Sequence, residues 1–292
     1  MRKQFGQSVW KVSVDAGFTC PNIDGTVATD GCLFCNAKSF APSRRHEKTL
    51  SIPEQIDEGI RQLKRRYKAE KFLAYFQPST NTHAPVQHLE TVYREAMRHS
   101  DIVGLAIGTR PDVLGDDVLD LLQRLSKETW LQLEIGMQST HDKTLAFLRR
   151  GHDYQTFVEA WQRAKERQLR LGVHLILGVP GENRDDIQST ANEVARLLPD
   201  TVKIHNLYVV KNTPLATLWE AGQIVLPTLE EYAEMVADFL ERIPPQIVID
   251  RISGESDDTF LRAPDWAKIK HAARNAIDAE LRKRNGFQGK HT

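Results

Sequence analysis

Short β-rich runs alternate with longer amphipathic stretches along most of this chain, and no other feature narrows its fold as far. The candidate strands are "VWKVSV" (9–14), "FLAYFQ" (72–77), "IVGLAIG" (102–108), "WLQLEIGM" (130–137), "GVHLILG" (172–178) and "VKIHNLYV" (202–209). Helical stretches fall at about 53–70, 86–99, 114–128, 154–169, 185–198 and 228–242. In the stretch 185–198, Ile187, Ala191, Val194, Ala195 and Leu198 recur at helical spacing, with acidic residues early in it. Strands alternating with helices imply parallel pairing through right-handed crossovers. Six such units fall short of a complete eight-stranded barrel, so the expectation is an α/β chain folded as an open, partial (β/α)6 TIM-like barrel. After Arg242 the pattern changes to a Pro-Pro break, one more strand (246–252), a polar loop and a basic helical tail. That tail reads as an appendage packed on the barrel, and no internal repeat or low-complexity tract interrupts the chain.

Composition excludes little but directs the reading. Lys plus Arg and Asp plus Glu balance at 39 each, so no global field favours nucleic acid or anionic membrane. A local basic groove stays compatible with that neutrality. No run approaches the ~20 apolar residues of a membrane span, and the start "MRKQFGQSVWKVSV" has no apolar stretch of signal-peptide length. Three cysteines make no extracellular disulfide framework. The expectation is a soluble, cytoplasmic protein with no membrane contact.

Strand polarity hints at a site. In "WLQLEIGMQS", Leu131, Leu133, Ile135 and Met137 share one face, while Gln132, Glu134 and Gln138 share the other. The apolar face suits the helical layer, so the polar face looks into the barrel, where a carboxylate and two amides need partners or a ligand. His174, Lys203 and His205 are further inward candidates, and a self-satisfied buried polar network is the alternative.

All three cysteines, Cys20, Cys32 and Cys35, lie within "TCPNIDGTVATDGCLFCNAKSF". The close pair can grip one metal centre from a single turn, and Cys20 reaches back across a loop whose tight bends suit Gly25 and Gly31. Thiolates favour zinc, copper(I) or iron–sulfur centres. Four readings stand: unliganded buried thiols, structural zinc with a histidine such as His46, a redox C-x-x-C with a bystander Cys20, or a 4Fe–4S cluster with one iron lacking a cysteine ligand.

The motifs "KVSVDAGFTCPN", "GCLFCN", "AYFQ", "GTRPD", "RRGHD" and "LILGVPGE" follow one another over roughly residues 5–255. In this order the chain resembles the radical S-adenosylmethionine superfamily, most closely its YhcC/YtqA-like branch. It is more distantly similar to the Elongator catalytic subunit and the oxygen-independent coproporphyrinogen dehydrogenases. The resemblance implies a core domain over 1–210 and a C-terminal extension over 211–292. It implies a 4Fe–4S cluster on Cys20, Cys32 and Cys35, and reductive cleavage of S-adenosylmethionine to a 5′-deoxyadenosyl radical that abstracts hydrogen from substrate. Phe34 matches the aromatic beside the adenine. Gln77 and Ser79 occupy the region that meets the methionine amine, and Thr109, Arg110 and Asp112 are binding candidates. Glu134 joins them from the polar strand face. Gln138 matches a ribose or carboxylate contact, Arg150 an arginine on the carboxylate side, and His174 a ribose-touching position. Gly178 lies in the segment by the adenine, and Val210 is the matching backbone contact.

Such an enzyme needs a reducing partner such as flavodoxin or ferredoxin. Tyr208, His205, Lys203, Arg251 and Glu255 are candidates for lining the substrate cavity. The likeness to the Elongator subunit makes RNA, tRNA included, a candidate substrate, and the runs "RQLKRRYKAEK" (61–71) and "ELRKRNGFQGKH" (280–291) are basic enough to touch phosphates. Against that, such runs are usually solvated helix faces. The alternative from another class is a non-catalytic, zinc-binding RNA-interaction protein.

Overall fold

A computed structural model describes residues 2–41, 44, 50–254, 256 and 258–292. His46 and Glu255, both named above, lie outside the described residues. Nine strands are described: β1 (Val9–Val14), β2 (Lys71–Phe76), β3 (Ile102–Thr109), β4 (Trp130–Gln138), β5 (Arg170–Leu177), β6 (Thr201–Asn206), β7 (Val209–Val210), β8 (Val248–Arg251) and β9 (Leu261–Ala263). Seven form one sheet in the order β1-β2-β3-β4-β5-β6-β8, and β7 and β9 form a second. The expected mixed α/β class and parallel pairing are present. The strand expected after Arg242 is β8, which pairs in parallel with β6. The run expected as one strand over 202–209 is two, β6 and β7, and the latter pairs antiparallel with β9.

The chain divides into two compact units. The first holds residues 1–29, 41–135 and 158–171. Within it β1 pairs with β2 from Val9↔Lys71 to Val14↔Phe76, and β3 follows in parallel. The helix Ile52–Tyr67 begins at Ser51, whose hydroxyl accepts from the Glu54 N–H while the Glu54 carboxylate accepts from the Ser51 N–H. This reciprocal cap, with Pro53 in the first turn, defines the start. Ile52, Ile56 and Ile60, at helical spacing, are its buried face. Gly59 permits close packing on β1, because a Cβ there would stand 2.5 Å from Val12 Cγ1. The basic run 61–71 is engaged within the protein: Lys64 Nζ meets Asp101 at 2.7 Å, Lys71 meets the same carboxylate at 3.5 Å, and Arg66 lies over the Tyr67 ring.

The second unit holds residues 30–40, 136–157 and 172–292. Here β5 pairs with β6 and β6 with β8, all in parallel. The helix Arg184–Leu197 starts from an Asn183/Asp186 capping box, and Leu229–Leu240 from Thr228/Glu231. The basic tail forms the helix Ala272–Lys283, packed against Leu229–Leu240. Beyond it, the Gly289 and His291 N–H groups donate to the carbonyls of Leu240 and Glu241. Two buried carboxylates secure this end of the chain. Asp238 receives Arg184 Nε and Arg284 Nη1, each at 2.6 Å, and Glu241 faces Lys290 Nζ at 3.6 Å. Arg284 and Lys290 of the run 280–291 are therefore held by acidic partners of the protein.

Removing one partner of a buried ion pair leaves its charge desolvated and unpaid. Arg284→Met is expected to lower unfolding stability by about 2–3 kcal/mol, less than a full buried-pair loss because Arg184 remains on Asp238. A urea midpoint equal to that of the unmodified chain would show that the cluster contributes nothing.

Candidate functional site

The turn that carries two cysteines is built into the second unit by backbone hydrogen bonds. Cys32 accepts from the Cys35 N–H at 3.0 Å, which closes the turn. Between them, Leu33 donates to the Leu148 carbonyl and accepts from the Leu215 N–H, each at 3.0 Å. Asn36 Nδ2 donates to the Lys211 carbonyl at 2.8 Å, and its carbonyl receives the Ser39 N–H. The Leu33 side chain is buried with Leu148, Ile176, Val179 and Leu215, and Phe34 packs against the same cluster. The C-L-F-C turn is thus held on both sides before any metal is considered.

Arg150 is the charged group beside this turn. It is 7% exposed, and its Nη1 lies 3.7 Å from Cys32 Sγ while Nη2 donates to the Gly136 carbonyl at 3.2 Å. The positive guanidinium therefore stands at hydrogen-bond distance from one of the three candidate ligand sulfurs. Behind the turn, burial pushes the Tyr208 hydroxyl up to about 12, with Arg251 opposing the shift and Cys35 adding to it.

Cys20 belongs to the first unit, where its carbonyl accepts from the Ile23 and Asp24 N–H groups. The Asp24 carboxylate organises the loop that follows. It accepts from Thr19 Oγ1 at 2.6 Å, Thr26 Oγ1 at 2.7 Å, the Thr26 N–H at 3.1 Å, and His83 Nε2 at 2.8 Å. Those bonds, Thr19 first, hold its carboxyl well below the usual carboxylate range. Gly25 and Gly31 make the expected bends, at φ 89° and 73°. Among the described residues, no three His, Cys, Asp or Glu side chains are grouped for a single metal ion.

Most of the other expected residues fall at or near the C-terminal ends of strands, whereas Glu134 and His174 lie within β4 and β5. In the first unit Gln77 and Ser79 follow β2, and Thr109 ends β3 with its hydroxyl against that of Thr82. Arg110, 2% exposed, grips Asp112 with Nε at 2.9 Å and Nη2 at 2.7 Å. Glu134 is buried and receives Lys11 Nζ at 2.8 Å and Gln132 Nε2 at 3.3 Å. The polar face of β4 is therefore met largely by the protein itself. In the second unit Gln138 ends β4 and Gly178 follows β5. His174 pairs in register with Lys203, its ring 6.1 Å from that of His205. Val210 lies in β7 opposite Leu261, and its carbonyl accepts from Thr213 Oγ1. Ser79 and Gln138 have φ of 62° and 70°, a left-handed conformation that non-glycine residues adopt at a cost and that concentrates at functional sites.

Three features were not anticipated from the residues alone. Asn81, fully buried, bridges the carbonyls of Phe76 and Gly108 through Nδ2, while its Oδ1 meets no partner among the described residues. Asn206, 2% exposed, accepts from the Gly254 N–H, and its Nδ2 is likewise unmatched among the described residues. Glu182 accepts from Ser139 Oγ at 2.5 Å and is raised by burial above the ordinary carboxylate range. The first two have a signal in the sequence, since each asparagine stands at or shortly after a strand end, but one carbonyl that Asn81 bridges, that of Gly108, is 27 residues away in the chain. For Glu182 the sign is determinate: a carboxyl whose folded pKa is raised stabilises below its unfolded pKa, and that stability is lost as pH rises through the folded pKa. Glu182→Gln, which keeps an acceptor for Ser139, is expected to raise the denaturation midpoint relative to the parent at pH 7, with the gain vanishing at pH 4. An equal gain at both pH values would refute this assignment.

Comparison with known proteins identifies the family. Residues 24–194 match the Radical SAM superfamily, and residues 199–283 match the Radical_SAM C-terminal domain. The chain is 38% identical over 293 residues to protein YtqA of Bacillus subtilis, covering 99% of this chain and 90% of that one. It is 30% identical over 149 residues to a tRNA uridine(34) acetyltransferase of Methanocaldococcus jannaschii, covering 50% of this chain and 27% of that protein. Its fold is similar to that of the archaeal Elp3 of Methanocaldococcus infernus, with a TM-score of 0.71 at 19% identity, over 96% of this chain and 64% of that one. That likeness carries the partial-barrel architecture, and among the described residues no helix is long and apolar enough to cross a membrane. With a family match across more than half of its length and a relative aligned nearly end to end, the chain belongs to the Radical SAM superfamily of enzymes.

Proposed function

We propose that Cys20, Cys32 and Cys35 hold a 4Fe–4S cluster whose fourth iron stays open for S-adenosylmethionine. Bound together and reduced, these groups supply homolytic cleavage of the sulfonium and hydrogen-atom abstraction from a substrate. The observation that carries the reading is the C-L-F-C turn, held by Leu148 and Leu215, with a buried guanidinium at the Cys32 sulfur. The residues present fit the groups. Three thiolates suit iron and sulfide, and Arg150 offsets their accumulated negative charge. The buried Asn81 Oδ1 is an acceptor suited to an ammonium, and the buried Asn206 Nδ2 is a donor suited to a carbonyl, carboxylate or ring nitrogen. The strained backbone at Ser79 and Gln138 adds support, since such conformations persist where function requires them.

In this reading Phe34, Gln77, Ser79, Thr109, Gln138, Arg150, His174, Gly178 and Val210 bind S-adenosylmethionine. Arg110 and Glu134, engaged by Asp112 and Lys11, shape its surroundings. Residues 1–210 form the catalytic core and 211–292 the extension. A reduced flavodoxin or ferredoxin supplies the electron. RNA is the candidate substrate, supported by a partial match to a protein named as a tRNA uridine(34) acetyltransferase.

Anaerobic reconstitution with iron and sulfide is expected to load about four irons per chain and to give reductant-dependent 5′-deoxyadenosine from S-adenosylmethionine. Cysteine-to-serine changes at 20, 32 or 35 should abolish the product. Stoichiometric zinc with no cluster and no cleavage would overturn the proposal. Arg150→Met tests the charge argument separately. Loss of a cation beside a ligating sulfur should keep the iron content and lower the cluster's reduction potential, read by a redox titration followed by electron paramagnetic resonance. An unchanged potential would remove Arg150 from that role.

A further inference from the structure

A basic cavity in the second unit is lined by residues of neither run that looks basic in the sequence. It has a volume of about 420 Å³ and is lined by Arg251, Ser256, Lys268, Lys270, His271 and Arg274, among others. Asp258 is the one carboxylate among the described lining residues. Lys268 is held by Asp265 at 2.6 Å, whereas Lys270 makes no ion pair among the described residues, and Arg274 reaches Asp278 only at 3.9 Å. The Ser256 hydroxyl is shut off from solvent and has no hydrogen-bond partner among the described residues. The helix Ala272–Lys283 opens onto the same cavity with no side-chain cap and no acidic residue in its first turn. The Ala272 N–H donates to the Ile269 carbonyl, and the positive end of the helix dipole reinforces the side-chain cations.

The opposite side of the cavity wall belongs to the site already described. Arg251 ends β8 in register with Lys203 of β6. The neighbouring Gly254 lies so close to the end of β6 that a Cβ there would stand 2.8 Å from His205 Nδ1 and 2.9 Å from Tyr208 Cε1.

We infer that this cavity binds a phosphate group, carried either by a nucleic-acid backbone or by a small phosphorylated molecule. Clustered cations and an uncapped helix start together match a tetrahedral oxyanion, which needs converging donors and positive charge. The two Arg forks bond phosphate oxygens in pairs, and Lys270 acts as a point charge. The volume lies in the range of small-ligand sites. The inference does not require a cluster, so it and the radical reading can fail independently.

The test is titration calorimetry on the full chain, reconstituted anaerobically, with S-adenosylmethionine omitted. The ligands are inorganic phosphate, uridine, uridine 5′-monophosphate and a single-stranded oligoribonucleotide. Phosphate and the monophosphate are expected to bind and uridine not to. The surface double variant Lys270→Glu/Arg274→Glu, with its melting temperature checked, should weaken binding by about tenfold or more. Loss of two phosphate contacts should also reduce the salt slope for the oligonucleotide by about 1.4. Tighter binding of the oligonucleotide than of the monophosphate identifies a nucleic-acid backbone as the source. The reverse order identifies a small phosphorylated molecule, and either result supports the cavity. Equal binding of uridine and its monophosphate, no binding of any phosphate ligand, or a variant within twofold of the parent would overturn the inference.

Discussion

Parallel backbone pairing is the constraint on which the rest of this protein depends. A parallel strand cannot be reached from its neighbour by a tight turn, so each needs a crossover, and the amphipathic helices between the strands serve as those crossovers. Within each unit the C-terminal ends of paired strands consequently share one edge, and loops free to carry function collect there. Ser79, Thr109, Gln138, Gly178 and Tyr208 lie at or just beyond such ends. The cysteine turn is not on a strand, yet Leu33 takes its two backbone bonds from Leu148 and Leu215, in the segments that follow β4 and β7.

Buried charge is the second organising principle. Desolvating an ion is costly unless a partner and hydrogen bonds compensate, and most buried charges here meet an opposite side chain. Asp15 receives Arg44 in a two-pronged bond, Arg110 holds Asp112, Glu134 holds Lys11, and Asp238 holds both Arg184 and Arg284. Arg150 adds contacts of another kind, to a cysteine sulfur and a backbone carbonyl. A guanidinium aimed at a thiol makes sense chemically when that thiol is to carry negative charge.

Strand and helix positions were legible because period-2 and period-3.6 patterns are local properties. The run 9–14 coincides with β1, and the other sheet strands apart from β6 differ by a residue or two at their ends. The division of 202–209 into β6 and β7 was not legible, because it depends on β9 arriving from more than fifty residues away in sequence. The basic runs illustrate the same limit. Charge along the chain marks 61–71 and 280–291, but Asp101, Asp238 and Glu241 engage cations in both. The polar face of β4 was read correctly as buried, yet nothing local could name Lys11 as the partner of Glu134, which is 123 residues distant.

The sequence by itself determined the element order, the α/β class, the family motifs and the three cysteines in one loop, because each depends on residue type and spacing along the chain. Tertiary structure alone decided which charges are compensated, that Ser79 and Gln138 hold left-handed backbone, and that Arg150 meets Cys32. It also gathered Arg251, Lys270 and Arg274 around one cavity next to an uncapped helix start. These are consequences of distance in space. Electrostatic and hydrogen-bond energies follow separation and burial, and neither is encoded by position along the chain.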